Sequence, residues 1–401
     1  MPLFPPVAFF RKACIIISMK SYRFHKFMMA LLRIIAAPFV AGVMRYRFRR
    51  FRGPESPSII ISNHNTNLDP ALVAMAFSRH MYFLSSEHAF RGGFPSKVLK
   101  AVFNPIALNK AVIDIVATKE MLRRLKAGAN VCLFAEGDRS FTGLTGPISI
   151  STAKFVKASG AQLITFRIEG GYLTSPRWSR TMRKGKMRGD VVGVYDAVQL
   201  KTMTDEEVLS IITKDTFEDA YARQADWMME YKGKDLAENI ETALYMCPVC
   251  KKVATIHSEG NRLYCSCGFG AVYSETGFLE GEKTPFKTIT EWGQWQEAQL
   301  EEVISSITDG PLCSDDGQSL FAVQAAKEAV LESEGSMYID RQSFHCAGRT
   351  FKLSELARFA VTGQMTLQFA LKDGTTFEIK SSHPRSALKY RDIFHLLTGK
   401  T

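Results

Sequence analysis

Short apolar runs alternate with stretches of helical periodicity between residues 58 and 226. The runs have the length and β-branched composition of strands, and they lie at Ser58–Ser62, Met81–Ser85, Pro105–Leu108, Val131–Phe134, Leu163–Ile168 and Val191–Tyr195. The helical stretches separate them and lie around residues 70–79, 114–127, 148–158 and 205–224. Since parallel strands are buried on both faces and joined by helices, this pattern predicts an α/β domain with a largely parallel sheet over residues 53–235.

Three further segments follow the α/β pattern. Residues 245–275 form a short cysteine-bearing unit, and residues 285–332 predict a helical linker with a capping box at Thr288-x-x-Glu291. Residues 336–401 alternate as strands, turn at Asp373–Gly374 and close on a helix, which predicts a small β-rich domain. This domain looks somewhat like a pleckstrin-homology barrel, although a module that only packs on the rest of the chain fits the pattern equally well.

The most apolar stretch, Phe27–Met44, lies between basic flanks near the start of the chain. Its eighteen residues are at the short limit for ~30 Å of hydrocarbon, and Arg33 and Pro38 would interrupt a spanning helix. At 100° per residue Arg23, Lys26 and Arg33 share one face. We therefore expect residues 1–52 to form two amphipathic helices that lie in a membrane interface. The alternative is a helix packed on its own domain, and a signal peptide is disfavoured because no small-residue cleavage site follows.

The net charge is concentrated in the same segment. The chain has 51 Lys and Arg against 40 Asp and Glu, a net charge of +11. Residues 1–52 hold 11 basic residues and no acidic one, so residues 53–401 carry 40 of each sign and are neutral. The cluster Arg45–Arg52 suits an anionic membrane surface on the cytoplasmic side. This placement argues against a nucleic-acid-binding adaptor, which is the alternative from a different functional class.

The first strand opens into the loop Asn63-His64-Asn65-Thr66-Asn67-Leu68-Asp69-Pro70. Loops at the carboxyl ends of parallel strands commonly carry the chemistry of α/β domains. If the loop brings Asp69 to one imidazole nitrogen of His64, the other nitrogen can take a proton from a hydroxyl, a general-base step worth ~10²–10⁴ in rate. Asp69 before Pro70 is also a good helix N-cap, so the segment alone supports both interpretations.

A second polar segment, Ala135-Glu136-Gly137-Asp138-Arg139-Ser140, follows the strand Val131–Phe134. A glycine that frees the backbone, an arginine fork and a hydroxyl at a strand end are typical of an oxyanion or phosphate site. Taken without the first segment, it would be interpreted as an exposed turn.

Together, in this order and about 70 residues apart, the two segments resemble the glycerolipid acyltransferase (PlsC-like) family that makes phosphatidic acid. The family blocks are written N-H-x4-D and F-P-E-G-T-R-S. Asn63, His64 and Asp69 match the first block. The second is matched by Phe134, Glu136, Gly137, Arg139 and Ser140, with Ala135 and Asp138 replacing the proline and threonine. A looser middle block ends at Lys110, where the family has arginine, and the resemblance covers roughly residues 27–226.

The resemblance implies an acyltransferase domain whose His64 deprotonates a glycerol hydroxyl and whose Asp69 orients His64. The hydroxyl would attack the acyl thioester directly, in agreement with the absence of a G-x-S-x-G elbow; Cys132 lies inside an apolar strand and is no rival nucleophile. Substrate-binding roles are implied for Asn63, Lys110, Glu136, Gly137, Arg139 and Ser140, with Arg139 and Lys110 holding the acceptor's phosphate.

The implied donor is acyl-CoA or acyl-carrier protein, and the implied acceptor is 1-acylglycerol 3-phosphate (lysophosphatidic acid). Another lysophospholipid or an aminolipid is the alternative acceptor. No catalytic cofactor and no nucleic-acid partner are implied, and the expected location is the cytoplasmic face of a bacterial plasma membrane.

Six basic residues lie within twelve positions further along the chain: Arg177, Arg180, Arg183, Lys184, Lys186 and Arg188. Such a run is either a solvated loop or a rim that contacts headgroups or the phosphates of CoA.

Four of the eight cysteines form two pairs, Cys247-x2-Cys250 and Cys265-x-Cys267. The fourteen residues between the pairs predict a hairpin that turns at Glu259–Asn261. Two cysteine knuckles on a hairpin suit tetrahedral coordination of zinc, and the unit resembles a zinc ribbon with a closed, structural Zn²⁺ site. Disulfides would need an oxidising compartment, and a redox C-x2-C motif would not explain the second pair. Cys14, Cys313 and Cys346 are expected to be unpaired.

Overall fold

The structure is a computed structural model that describes residues 7–42, 44–53, 57–86, 103–108, 115–323 and 329–400, with side chains from residue 22 onward. The strands of the first sheet are β1 (Tyr46–Phe48), β2 (Ser58–Ser62), β3 (Met81–Ser86), β4 (Ile106–Leu108), β5 (Asn130–Phe134), β6 (Gln162–Glu169) and β7 (Met187–Tyr195). The helices of this part are α1 (Val7–Gly42), α2 (Asp69–Ala76), α3 (Ile115–Lys126), α4 (Ile150–Ser159), α5 (Gly171–Thr174), α6 (Ala197–Thr202), α7 (Asp205–Thr216) and α8 (Ala220–Trp227).

The seven strands form one sheet in the order β1-β7-β6-β2-β5-β3-β4. The five strands from β6 to β4 are parallel, whereas β7 runs antiparallel to β6. The central strand β2 is buried on both faces: Ile60 packs with α2 on one side, while Ile59 and Ile61 pack toward α3, α4 and α7 on the other. The predicted α/β domain with a largely parallel sheet is confirmed.

The N-terminal segment differs from the predicted pair of helices. Residues Val7–Gly42 form one continuous helix, because no glycine or proline occurs between residues 7 and 37 to interrupt it. His25, Met29 and Val40 are buried against the domain. Arg33, expected on a solvated polar face, instead donates to the Ala74 carbonyl of α2 at 3.0 Å. Within the described residues, no helix has the length and apolar character that crossing a membrane requires.

The cysteine unit is a small antiparallel sheet in the order β11-β10-β9-β8. Its strands are β8 (Ile256–Glu259), β9 (Arg262–Cys265), β10 (Gly270–Tyr273) and β11 (Leu279–Glu280). The β8–β9 turn lies at residues 260–261, where Gly260 has a φ of +59°. The hairpin therefore turns where the sequence indicates.

A second seven-stranded sheet, antiparallel throughout, fills the C-terminal part. Its strands are β12 (Cys313–Val323), β13 (Val330–Ile339), β14 (Ser343–Cys346), β15 (Arg349–Lys352), β16 (Leu356–Thr362), β17 (Thr366–Leu371) and β18 (Thr376–Ser381). Phe344 of β14 packs edge-on against Phe359 of β16, with centroids 5.0 Å apart, so the sheet curls round an aromatic core. Helix α10 (Leu388–Thr398) closes this core through Phe394, whose ring stacks on Phe359.

The predicted linker at 285–332 is helical only in its first part. Helix α9 (Ile289–Ser305) begins at Thr288 with both hydrogen bonds of the capping box, but the linker region also contains β12 and the start of β13. The C-terminal sheet thus begins well before residue 336. The strand was missed because most of its side chains are at least partly exposed, and Leu320 is one of only a few buried positions among charged and small residues.

The parts share one core. Trp178 of the first domain packs edge-on against Tyr273 of β10, at 5.4 Å between centroids, and Thr290 of α9 donates to the Thr142 carbonyl at 2.8 Å. A single hydrophobic cluster runs from Phe141 to the aromatic residues of the C-terminal sheet. The downstream units are therefore packed directly on the loop that follows β5.

Candidate active site

The loop after β2 brings His64 and Asp69 together. The imidazole Nδ1 lies 2.8 Å from Asp69 Oδ2, and the imidazole stacks on Phe134, with centroids 4.3 Å apart. Because β2 and β5 are neighbouring parallel strands, the loops at their carboxyl ends meet at one edge of the sheet. The geometry suits general-base catalysis through Nε2, the ring nitrogen that is not bonded to Asp69.

The Asp69 carboxylate is fully buried and is satisfied within the loop. Its Oδ2 also accepts from the backbone N–H groups of Asn65 at 2.6 Å and Thr66 at 2.8 Å, and its Oδ1 accepts the Thr66 hydroxyl at 2.7 Å. Asp69 is the first residue of α2, and Leu68 occupies the N-cap position. The helix-cap interpretation is therefore wrong, because these donors precede the helix and leave the carboxylate to orient His64.

Glu136 joins the two predicted segments through their backbones. Its Oε1 accepts from the His64 N–H at 2.7 Å and its Oε2 from the Gly146 N–H at 2.8 Å. The Ser140 N–H donates to the His64 carbonyl at 3.1 Å. Burial raises the pKa of Glu136 to about 8, although the two N–H donors act in the opposite direction. Both carboxylate oxygens are used to hold the loops in place.

Asn63 ties the His64 loop to the end of β6. Its Nδ2 donates to the Ile168 carbonyl and its Oδ1 accepts the Ile168 N–H, both at 2.8 Å. The glycines after β6 make room for this loop, since a Cβ on Gly171 would lie 2.9 Å from that of Asn65. Asn63 thus contributes to the site as a structural tie.

A cleft of about 1050 Å³ lies at this edge of the sheet. Its described lining includes the predicted residues His64, Gly137 and Arg139, but not Asn63, Glu136 or Ser140. The rest of the lining is mainly apolar side chains from α1, β3, β4, α3 and α4: Met29, Leu32, Phe83, Leu84, Phe103, Leu108, Met121, Leu122, Phe155 and Ala158. A cationic end and a long apolar arm meet at His64, which suits a ligand with an anionic headgroup and an acyl chain.

Arg139 supplies the positive charge at the polar end. Its side chain is largely buried, and burial lowers its pKa, while Asp69 and Asp138 act in the opposite direction. No ion pair involves Arg139 in the part of the chain that the structure describes. Gly137 precedes it with a φ of +74°, a conformation that side-chain-bearing residues rarely adopt. Lys110, the second predicted phosphate ligand, lies outside the described residues.

Every carbonyl from Arg139 to Leu144 except that of Ser140 accepts a hydrogen bond from a fixed donor. The donors are Arg177 Nη1 to Arg139, Tyr172 Oη to Phe141, Thr290 Oγ1 to Thr142, the Ala220 N–H to Gly143 and Ser140 Oγ to Leu144. Gly143 allows the chain to pass close to Tyr172, since a Cβ there would lie 2.9 Å from the ring. The backbone that carries Arg139 is therefore rigidly held.

The basic run 177–188 matches neither prediction as a whole. Arg177 and Arg183 are fully buried, whereas Arg180, Lys184 and Arg188 are exposed. Arg183 packs between Trp178 and Tyr273 and donates to the Leu236 carbonyl. The cleft is also lined by Arg177, Thr362 and Gly363. No sequence pattern indicates this, because Arg177 lies more than 180 residues before the other two.

The four predicted cysteines form one cluster. Their sulfurs all lie within 4.8 Å of one another, with Cys247 and Cys267 at 3.7 Å and Cys250 and Cys265 at 3.8 Å. A tetrahedral zinc with Zn–S bonds of about 2.3 Å places its sulfurs about 3.8 Å apart. The donor set and spacing fit a metal ion.

The segment that contains the site matches a known family model. Residues 44–169, which contain both polar segments, match the family model described as Acyltransferase. No curated protein matches the chain significantly. Among solved structures the chain is similar to the 1-acyl-sn-glycerophosphate (LPA) acyltransferase PlsC from Thermotoga maritima, at 17% identity and a TM-score of 0.39. That match covers 51% of this chain and 88% of the other.

Proposed function

We propose that this chain, whose residues 44–169 match the Acyltransferase family model, is a membrane-associated enzyme that acylates the free hydroxyl of 1-acylglycerol 3-phosphate. The observation that carries the proposal is a single cleft lined by His64, by Arg139 and by an apolar arm, with Asp69 bonded to His64 from behind the lining. Acyl-CoA or an acyl-carrier protein is the proposed donor, and phosphatidic acid is the product.

In the proposed reaction, the acceptor hydroxyl oxygen forms a bond to the thioester carbonyl carbon while its proton passes to His64 Nε2. Collapse of the tetrahedral intermediate breaks the carbon–sulfur bond, and the proton on His64 passes to the departing thiolate. Asp69 stabilises the imidazolium in between, at 2.8 Å. Arg139 pairs with the acceptor's phosphate at the polar end of the cleft.

Incubating the purified protein with labelled acyl donors and a panel of lysolipids tests the proposal. We expect phosphatidic acid as the main product, formed by the wild type and not by His64→Ala. Transfer to another lysophospholipid or to an aminolipid alone would reassign the acceptor. Turnover retained in His64→Ala would contradict the assignment of the base, provided that the variant has the same circular dichroism spectrum as the wild type.

We also propose that the exposed face of α1 lies on an anionic membrane, on the cytoplasmic side of a bacterial plasma membrane. This face is a stripe of large apolar side chains opposite the buried face of the helix: Phe24, Phe27, Leu31, Ile34, Ile35 and Phe39. Five exposed arginines follow it, at residues 45, 47, 49, 50 and 52. An apolar stripe beside a cationic cluster matches the interface of a bilayer that contains anionic lipids.

Vesicle flotation tests the membrane proposal. The wild type should float with vesicles that contain phosphatidylglycerol and much less with pure phosphatidylcholine, and Ile34→Asp should reduce binding. Val198→Asp is the matched control, because Val198 of α6 is about as exposed as Ile34 but lies on another element. Equal flotation of Ile34→Asp and Val198→Asp would contradict the assigned face.

For the four cysteines we propose a structural Zn²⁺ held by Cys247, Cys250, Cys265 and Cys267. Four thiolates leave no open coordination position, so the ion would stabilise the fold of the hairpin and take no part in acyl transfer.

A further inference from the structure

The Arg177 guanidinium connects the loop after β5 to the C-terminal sheet. Its Nη1 donates to the Arg139 carbonyl at 2.8 Å, its Nη2 to the Val361 carbonyl at 2.7 Å and its Nε to the Gly363 carbonyl at 2.7 Å. The group also lies 3.4 Å from the Asp138 carboxylate and stacks over the Phe141 ring. One side chain thereby fixes the backbone beside Arg139 and the turn between β16 and β17.

Lysine could not replace these contacts. The Arg177 side chain is only 2% exposed, and a charge in such a position is tolerated only when hydrogen bonds satisfy it. A planar fork satisfies three carbonyls in three directions, whereas an ammonium group concentrates its donors at one point. The contacts therefore depend on the shape of the guanidinium as well as on its charge.

The β16–β17 turn reaches the cleft itself. Thr362 and Gly363 belong to the lining, and the Arg177 guanidinium, which bonds to both Gly363 and Arg139, places them beside Arg139. A second contact docks the turn from its outer side, where Gln364 Nε2 donates to the Ser179 carbonyl at 2.6 Å and the Trp178 carbonyl at 3.2 Å. The polar end of the cleft is therefore built from two parts of the chain that are more than 220 residues apart.

We infer that the β16–β17 turn, residues 362–364, forms the wall of the cleft that determines which headgroup fits beside Arg139. Arg177 is the positioning residue that fixes the distance between this turn and Arg139. This inference rests on the proposed function, because it concerns the same acceptor. The C-terminal sheet is then part of the active site, and acceptor selectivity responds to substitutions in the sheet.

Two substitutions in the turn should shift selectivity in opposite directions. Gly363 has a φ of +64° and open space where a Cβ would lie, so Gly363→Asn adds bulk beside the cleft with a residue that tolerates this conformation. Gln364→Ala removes the outer docking bonds and frees the turn to move away. Gly348→Asn is the matched control, since Gly348 also has a positive φ and open space but lies in the β14–β15 turn, outside the described lining of the cleft.

The assay compares kcat/KM for lysophosphatidic acid with that for lysophosphatidylglycerol, whose phosphate carries a second glycerol. Relative to the wild type, we expect Gly363→Asn to raise the preference for lysophosphatidic acid and Gln364→Ala to lower it, each by about threefold to tenfold. The KM for acyl-CoA should not change. Arg177→Lys should raise the KM for lysophosphatidic acid by about tenfold or more with a smaller change in kcat.

The results separate this inference from the proposed function. If the wild type acylates lysophosphatidic acid but both turn variants keep its selectivity within twofold, the inference is wrong and the proposed function stands. If the wild type acylates neither acceptor, both are wrong. A general loss of activity toward both acceptors, with an unchanged ratio, would show a structural role only and would also overturn the inference.

Discussion

Replacing Asp69 by asparagine removes one charge and little else. The amide oxygen of the new side chain can take the place of Oδ2 and accept from His64 and from the backbone N–H groups of Asn65 and Thr66. Its amide nitrogen can donate to the Thr66 hydroxyl, which rotates to accept. The loop should therefore keep its shape. The change isolates the attraction between the carboxylate and the imidazolium that forms during the reaction.

The size of the effect follows from the distance. At 2.8 Å and an effective dielectric constant of about 20, the two charges attract by about 6 kcal/mol. The His64 side chain is 21% exposed, so water screens part of this attraction. The stabilisation of the imidazolium that remains is about 3–4 kcal/mol. The expected loss in kcat is then about 10²–10³-fold, with little change in the KM for either substrate because the carboxylate lies outside the cleft lining.

Steady-state kinetics of Asp69→Asn with lysophosphatidic acid and acyl-CoA measures this loss. Asp196→Asn is the control, because Asp196 also accepts two backbone N–H bonds but lies exposed at the start of α6. An Asp69→Asn enzyme within tenfold of the wild-type kcat would refute the role assigned to the carboxylate. Its melting temperature should stay near that of the wild type, which excludes unfolding as the cause of lost activity.

Three further predictions concern the fold. The purified protein should contain one Zn²⁺ per chain by elemental analysis. The double variant Cys265→Ser/Cys267→Ser should lose the metal and melt at a lower temperature, whereas the control Cys346→Ala should keep the metal. A metal-free wild type would contradict the site. Burial raises the pKa of Glu136 to about 8, so between about pH 4.5 and 8 the folded protein holds a proton that the unfolded chain has released. The free energy of unfolding should therefore contain a contribution that falls as the pH rises through this window. Glu136→Gln should remove this contribution. Urea titrations at several pH values measure the free energy of unfolding, and the same pH dependence in both proteins would contradict the prediction. Gly143→Ala should destabilise the protein by about 1–3 kcal/mol more than Gly128→Ala, because only the first Cβ meets a neighbour, the Tyr172 ring; equal melting temperatures would show that the loop can relax.

The parts of the site that depend on neighbours in the sequence could be predicted. His64 and Asp69 are five residues apart at the end of one strand, and the parallel sheet explains why the segment after β5 meets them. The roles of individual residues could not be predicted from the sequence. The resemblance implies that Asn63 and Glu136 contact substrate, but their polar atoms form hydrogen bonds with the backbone of Ile168, His64 and Gly146. Such pairings depend on tertiary structure, which a linear pattern does not contain.

The other differences have the same origin. Arg177 stands in a run of basic residues that is typical of a solvated loop, and its burial is explained by contacts with Arg139, Val361 and Gly363, all of them distant in sequence. Strand β12 has a polar sequence with low β-propensity, and its pairing with both β13 and β18 stabilises it. Local propensity therefore does not predict this strand.

The span of the Arg177 contacts has a consequence for the order of events during synthesis. The pairs Arg177–Val361 and Arg177–Gly363 are separated by 184 and 186 residues. At about 5–20 residues per second, a ribosome needs on the order of 10–40 s to make the intervening chain. During that interval the His64 loop can already be complete while the headgroup end of the cleft still lacks one wall. If His64 is the base and the β16–β17 turn selects the acceptor, as proposed above, the nascent domain acquires its base before its discrimination between acceptors.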